Sequence, residues 1–277
     1  MNATWDELDG RGLSGRLWRK FALPSGGVFE RTASGNPAFG FIDDFLKYGN
    51  TSLYDGKIIL AGSGCSVAQI SSEAGRPGII RATIDGNGAN DEAVMQAGAG
   101  LDVGPFKAAG SELAFEACIR VSAITAAKWS WFVGLATGGA AGAAITKKMF
   151  ADTSGAVYAT QNFIGFQHLA AEGAALDAMY QASGKTKVDG AVNTDLDTIH
   201  TLVANAWVKL GIRYNAHPKR LSWYVDGVEK AHILESDIDA DEFPDAAFLQ
   251  PTIGVKDKAG DAALTIDMDW WAVAQQL

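Results

Sequence analysis

The chain is short of cysteine and proline, has no excess of positive charge and contains no long apolar run. Its two cysteines, Cys65 and Cys118, stand far apart in 277 residues and form no Cys-x-x-Cys pair. That argues against a disulfide framework and for buried thiols in a reducing compartment. No stretch reaches the roughly 20 strongly apolar residues that a membrane span needs. The nearest, Trp131 to Thr146, is shorter and mostly glycine and alanine. Lys and Arg number 23 against 32 Asp and Glu, a net charge of -9. Binding nucleic acid by bulk charge requires the opposite balance, so that partner class is not expected. The first twenty residues carry acids early and no apolar segment, so a secretory signal peptide is not expected there.

What is present is small and apolar. There are 32 Gly and 46 Ala, yet hydrophobic residues make up 48% and include 8 Trp and 13 Phe. That content can bury enough surface to offset chain entropy, which excludes disorder. Residues 1–40 differ from the remainder. They hold five basic residues (Arg11, Arg16, Arg19, Lys20, Arg31) and four acids, so they carry about +1 while the rest carries about -10. Pro24, Gly26-Gly27 and Asn36-Pro37 punctuate this section and no apolar period is sustained, which reads as an extended arm, or equally as a strap packed on its own domain. Residues 41–277 then form the folded body.

In the body the apolar period is two. Leu113, Phe115, Ala117, Ile119 and Val121 share one face, and Glu112, Glu116, Arg120 and Ser122 fall on the other. The same alternation recurs through Trp129–Leu135, Val208–Tyr214, Leu221–Val225 and Leu264–Trp270, as half-buried strands require. Asp226-Gly227 between two such runs predicts a hairpin, since both turn residues must take positive φ. Lys57–Leu60, Ser66–Ile70 and Gly78–Ile84 read as further short strands. Many strands at about ten-residue spacing indicate an all-β antiparallel sandwich or jelly roll. Gln167–Ala182 is the ambiguous segment. Its alanines and the spacing of Leu169, Leu176, Met179 and Tyr180 favour helix locally. The sandwich instead needs strands at Phe163–His168 and Leu176–Gln181, and that reading is preferred.

The strand order, with its punctuation, resembles the concanavalin A-like lectin/glucanase domains of laminin-G type. The resemblance rests on Leu113-Ala-Phe-Glu-Ala-Cys-Ile-Arg-Val, Phe132-Val-Gly-Leu-Ala, Trp207-Val-Lys-Leu-Gly-Ile, Trp223-Tyr-Val-Asp-Gly-Val and Leu264-Thr-Ile-Asp-Met-Asp-Trp-Trp-Ala-Val. Upstream, Phe41-Ile-Asp-Asp-Phe, Gly62-Ser-Gly-Cys and Arg76-Pro-Gly-Ile-Ile are similar to stretches of tailed-bacteriophage virion proteins. The resemblance implies a concanavalin A-like jelly roll behind an extended N-terminal arm. It further implies a non-enzymatic virion component, foremost a capsid decoration (cement) protein assembled in the host cytoplasm. Its expected partners are the major capsid protein and further copies of itself, with a trimer as a closed ring that would fit symmetric attachment. The alternative is a carbohydrate-binding module of a head or tail fibre with a glycan as ligand, and a glycoside hydrolase stands behind both. No cofactor is implied.

Chemistry-bearing motifs are few. The acidic run Glu235-Ser-Asp-Ile-Asp-Ala-Asp-Glu-Phe puts Asp237, Asp239 and Asp241 at alternate positions. It lies near the last strands, not mid-sheet where the family's glucanases carry their paired carboxylates, and reads as a solvated loop. The three Asp are also the candidate metal ligands, although an EF-hand would need Gly and Glu where Glu242 and Phe248 stand. Gly184-Lys185-Thr186 lacks the upstream glycine and the following helix of a phosphate loop, so it reads as a turn. His168, His200, His217 and His232 are scattered, and no serine sits in a Gly-x-Ser-x-Gly elbow. Trp270 and Trp271 are adjacent in a strand and must point to opposite faces, which makes one of them a candidate for an interface or ligand surface. Arg16, Trp18 and Arg19 are the corresponding candidates in the arm.

Overall fold

The computed structural model describes residues 17, 28–31, 37–43, 57–61, 65–74, 76, 78–85, 91–96, 112–125, 129–137, 161–234, 241–244, 246–257 and 263–276. Two antiparallel sheets stack face to face. The first runs β1 (Val28–Arg31), β2 (Pro37–Asp43), β16 (Leu264–Gln276), β7 (Leu113–Val121), β12 (Trp207–Ala216), β13 (Lys219–Val225) and β14 (Val228–Leu234). It is completed to nine strands by β5 (Ile80–Ile84), which pairs with β16, and β4 (Ser66–Gln69), which pairs with β5. The second runs β11 (His200–Thr201), β10 (Ala175–Gln181), β9 (Phe163–His168), β8 (Trp129–Thr137), β15 (Leu249–Asp257), β6 (Glu92–Gln96) and β3 (Lys57–Ala61). The architecture is the expected β-sandwich. β1 and β2 fall on both sides of residue 40 and pair with each other, so described strands begin inside the section read as an arm.

The inward side chains of both sheets make one core. Phe115, Ile119, Leu210, Ile212, Trp223, Trp271 and Val273 meet Trp129, Trp131, Ile164, Phe166, Ala178 and Tyr180. Burial of this apolar surface drives the two layers together at about 25 cal/mol per Å². Phe243 closes one part of the core, stacked on Tyr214 and edge-on to Tyr180. The acidic run therefore ends in a buried anchor, with Phe243 only 5% exposed. Cys65 and Cys118 are buried and not bridged to each other, as the sequence suggested. Burial pushes their thiols up to about 11 and about 12 respectively, far from a reactive thiolate.

The ambiguous segment is two strands. Asp177 to Gln181 of β10 pair in register with Gln167 to Phe163 of β9. Ladder pairing with β8 and β11 on either side overrides the local helical preference of the alanines. Tyr180 faces the core while Met179 joins a second cluster on the opposite face, so the helical stripe is broken up. The Asp226-Gly227 turn forms as predicted, with φ of 49° and 75°. Asp226 Oδ1 also accepts from the Lys209 N–H at 2.9 Å, which ties the turn to β12.

Strand β16 departs from the simple period. A bulge between Met268 and Trp270 lets two residues of β16 oppose one of β7. Leu264, Ile266 and Met268 face the core, but beyond the bulge Trp271 and Val273 do. Trp270, Ala272 and Ala274 lie on the outer face. The unbroken alternation read from Leu264 through Trp270 is thus corrected, because the inserted residue flips the phase of the strand by one.

Candidate functional site

The residues singled out in sequence are not gathered in one place. Trp270 and Trp271 do point to opposite faces, and both are buried, at 6% and 2% exposure. Trp271 belongs to the inter-sheet core and Trp270 to a cluster with Leu17, Ala114, Cys118 and Tyr224. Asp241 is exposed and its Oδ2 accepts from Lys185 Nζ at 2.9 Å. Asp237, Asp239, Arg16, Trp18 and Arg19 lie outside the described residues. Among the described residues no group of three His, Cys, Asp or Glu is placed to hold a metal ion. The histidines stay apart: His168 is buried, stacked on Trp131 and donating from Nδ1 to the Ala175 carbonyl at 3.0 Å. Desolvation holds its pKa below the usual imidazole value.

Two polar constellations emerge instead. The first lies on the nine-stranded sheet. Arg81 grips Asp267 with two bonds of 2.6 and 2.8 Å, and Arg120 reaches Asp267 and Glu73, each at 2.6 Å. Arg76 pairs with Asp269. The Arg76 and Arg120 guanidinium carbons lie 4.2 and 4.6 Å from the centre of the Trp207 ring. Arg120 holds the Glu73 carboxyl below the usual carboxylate range. Each guanidinium here already has a carboxylate partner, so the ladder fastens Glu73 and Arg76 to the sheet and leaves little charge for a ligand.

The second lies at the β9–β10 end of the other sheet and is built around a tight loop, residues 189–198. Asp189 starts it: its carbonyl accepts from Val192 and Asn193, and its Oδ1 accepts from Ala191 N at 3.1 Å. Asn193 then caps the 3-10 turn Thr194–Leu196 by accepting from Asp195 N. Gly190 has no room for a side chain, since a Cβ would stand 2.6 Å from Cβ of Asp197. The loop closes on Thr198, whose N–H donates to the buried Asp177 carboxylate at 2.8 Å. Thr198 has φ of 46°, a conformation rare for a β-branched residue. Strain of this kind persists where surrounding contacts impose it, and it concentrates at functional sites.

Behind the loop the floor is polar and fully tied. Lys187 Nζ lies 2.6 Å from Asp189 Oδ2 and donates to Gln167 Oε1 at 3.1 Å. Gln167 Nε2 donates to Asp189 Oδ2 at 2.9 Å. Gln167, Asp177 and Asp189 are buried, whereas Asp195, Asp197, Thr198 and Glu172 are exposed at the rim. Glu172 is hydrogen-bonded to Asp177, and desolvation together with the nearby Asp177 charge pushes its carboxyl up to about 7. The arrangement offers a rigid rim of carboxyl, hydroxyl and ammonium groups, the donors and acceptors that fix hydroxyl-rich ligands. None of these positions stood out in sequence, because Asp177 and Thr198 are 21 residues apart and meet only through the fold.

No protein-family model matches the chain, and no curated protein matches it by sequence. Solved structures do match. A protein of unknown function from Shewanella oneidensis MR-1 aligns with a TM-score of 0.55 and 14% identity over 94% of this chain and 91% of its own. The Emp47p carbohydrate recognition domain aligns with a TM-score of 0.54 and 10% identity over 92% of this chain and 100% of that one. Peanut lectin aligns with a TM-score of 0.53 and 13% identity over 86% and 97%. The chain has the lectin-type, concanavalin A-like jelly-roll fold. At these identities the likeness is one of fold, and the same fold hosts unrelated roles.

Proposed function

We propose that the chain is a non-enzymatic, lectin-like module that binds a carbohydrate at the β9–β10 end of the seven-stranded sheet. The observation that carries the reading is the strained, pre-organised rim at Thr198, pinned to Asp177 and flanked by exposed Asp197 and Glu172. Ligand hydroxyls would donate to the Asp197 and Glu172 carboxyl groups and accept from Lys187, while the buried Gln167–Asp189 pair keeps Lys187 in place. A rim fixed before binding loses little entropy on ligand capture. Two of the structural neighbours are a carbohydrate recognition domain and a plant lectin, which supports the same reading. The capsid-decoration reading, with a shell protein and sister copies as partners, has no such support among these neighbours and ranks second.

A glycan array followed by titration calorimetry tests the proposal. Binding to a defined glycan is expected, and Asp197→Ala should weaken it at least tenfold without moving the unfolding midpoint by more than a few degrees, whereas Lys187→Ala should weaken binding and also lower the midpoint, because it leaves the buried Asp189 carboxylate without its cation. Binding that survives both substitutions, or no glycan bound at all, overturns it.

A further inference from the structure

The turn between β9 and β10 is short and held at several points. Glu172 N–H donates to the Leu169 carbonyl at 3.0 Å, and the Glu172 carbonyl accepts from Ala175 N–H at 3.2 Å. Gly173 takes φ of 64°, in the left-handed region, which lets the chain reverse directly after Glu172. A third tie comes from the buried His168, whose Nδ1 donates to the Ala175 carbonyl at 3.0 Å. The reversal sets the Glu172 carboxyl against that of Asp177 on β10, and the two are hydrogen-bonded. Two carboxylates offer acceptors only, so this bond exists only while one of the pair carries a proton.

The two partners differ in what surrounds them. Asp177 is buried and its Oδ1 already accepts from Thr198 N–H at 2.8 Å, whereas Glu172 is exposed. Lys187 and Asp189, on the segment after β10, pair with each other at 2.6 Å and supply little net charge to the two carboxyls. His168 of β9 is kept neutral by burial and gives Asp177 no lasting counter-charge. Asp195 and Asp197, on the 189–198 loop, add negative charge, with Asp197 accepting from the Thr198 hydroxyl. His200, opposite Leu176 on β11, interacts with Asp226 and Lys230 instead. Loss of the shared proton to water would leave two like charges at hydrogen-bond distance in an acidic setting. Of the two, only Glu172 has solvent to move into.

We propose that Glu172 and Asp177 form a proton-operated clasp on the rim of the candidate site: the shared proton holds Glu172 in place, and its loss swings Glu172 into solvent and opens the rim. Asp177 stays where it is, because it is buried and keeps the Thr198 amide as donor. The consequence for binding rests on the lectin reading, whereas the clasp itself does not. With the proton in place the Glu172 carbonyl oxygen faces ligand as an acceptor, so a glycan is held on the acid side and released as pH rises.

An NMR titration of the full-length chain without ligand tests the clasp. The Glu172 carboxyl carbon should titrate at about 7, and the Thr198 amide proton, bonded to the same Asp177, should shift with the same midpoint. Asp177→Asn should lower the Glu172 midpoint. Glu172→Gln keeps a donor towards Asp177 but has no proton to lose, so the Thr198 shift should vanish. A Glu172 carboxyl that titrates near 4.5, or a Thr198 amide that ignores it, overturns the proposal. For a glycan found on the array, affinity should fall by up to about tenfold per pH unit above the midpoint, and Glu172→Gln should abolish that slope whatever its absolute affinity. A glycan bound equally at pH 6 and pH 9 overturns the proposal and leaves the lectin reading intact. No glycan bound at any pH overturns the lectin reading alone, and the clasp then stands or falls by the titration.

Discussion

The indole N–H of Trp223, on β13, donates to the backbone carbonyl of Gly165, on β9, at 2.9 Å. The two residues belong to different sheets, so this bond crosses a largely apolar core. It also fixes the orientation of the largest type of side chain in the interior. A buried polar bond of this kind sets one mutual placement of the layers where apolar packing would tolerate several.

Trp223→Phe should therefore cost about 1–3 kcal/mol, the usual penalty when one partner of a buried hydrogen bond is removed. Denaturant unfolding checks this: the midpoint should fall while the slope stays constant. An unchanged midpoint would show that the carbonyl is satisfied without Trp223.

Gly165 is constrained from its other side as well. A Cβ there would lie 2.5 Å from the Phe132 ring and 2.6 Å from the Val133 carbonyl oxygen. Gly165→Ala should destabilise by about 1–3 kcal/mol or more through overpacking. Adding Phe132→Leu should restore only part of the loss, because the Val133 contact is with backbone and cannot move aside. Full rescue in the double variant would contradict this geometry.

Thr198 gives the opposite sign. Its φ of 46° costs a β-branched residue energy that glycine does not pay. Thr198→Gly should leave stability unchanged or raise it by up to about 1 kcal/mol, against the usual direction of a glycine substitution. Thermal unfolding decides the matter, and a clear fall in midpoint would mean that the threonine side chain, which donates to Asp197 at 2.9 Å, outweighs the strain.

The pH dependence follows from two groups. Glu172 is raised in the folded protein from 4.5 to about 7, so between those values the folded state holds a proton that the unfolded state has lost. Stability should fall as pH rises through that window, and Glu172→Gln should flatten the decline. His168 acts at the acid end: its pKa is lowered by burial, so the unfolded state takes up the proton first and stability falls as pH drops below about 6.5. Unfolding midpoints from pH 5 to pH 8 for the parent and Glu172→Gln separate the two; identical slopes would discount Glu172.

Much of the sandwich was legible because polar residues such as Glu116, Arg120, Lys209, Arg213 and Ser222 alternate with the core residues of three strands. β7, β12 and β13 show clean alternation, and Asp226-Gly227 marks the turn between β13 and β14. β15 was missed for a physical reason. Every residue from Leu249 to Asp257 is buried and Pro251 stands in its middle, where a central strand rarely tolerates one. β10 was readable only once its pairing with β9 was assumed, since its alanines speak for helix. The candidate site was not legible at all. Asp177, Lys187 and Thr198 acquire their meaning from contacts across the sheet and the 189–198 loop, and no spacing in the chain announces those contacts. The tryptophan pair was half readable: opposite facing follows from strand geometry, but the outer-face cluster that buries Trp270 brings together residues as distant as Ala114 and Tyr224.

The bulge in β16 makes one residue answerable for the orientation of everything after it. Removing Asp269 would close the bulge and leave Met268 and Trp270 as neighbours opposite Ile119 and Cys118, so Trp271 and Val273 would still face the interior. Pairing Asp269 regularly, with no bulge, would instead turn Trp271 and Val273 outward and bring Trp270 and two alanines into a space shaped for larger groups. The last strand thus works as a keyed part, in which the bulge reconciles its partner β7 with its own hydrophobic interior.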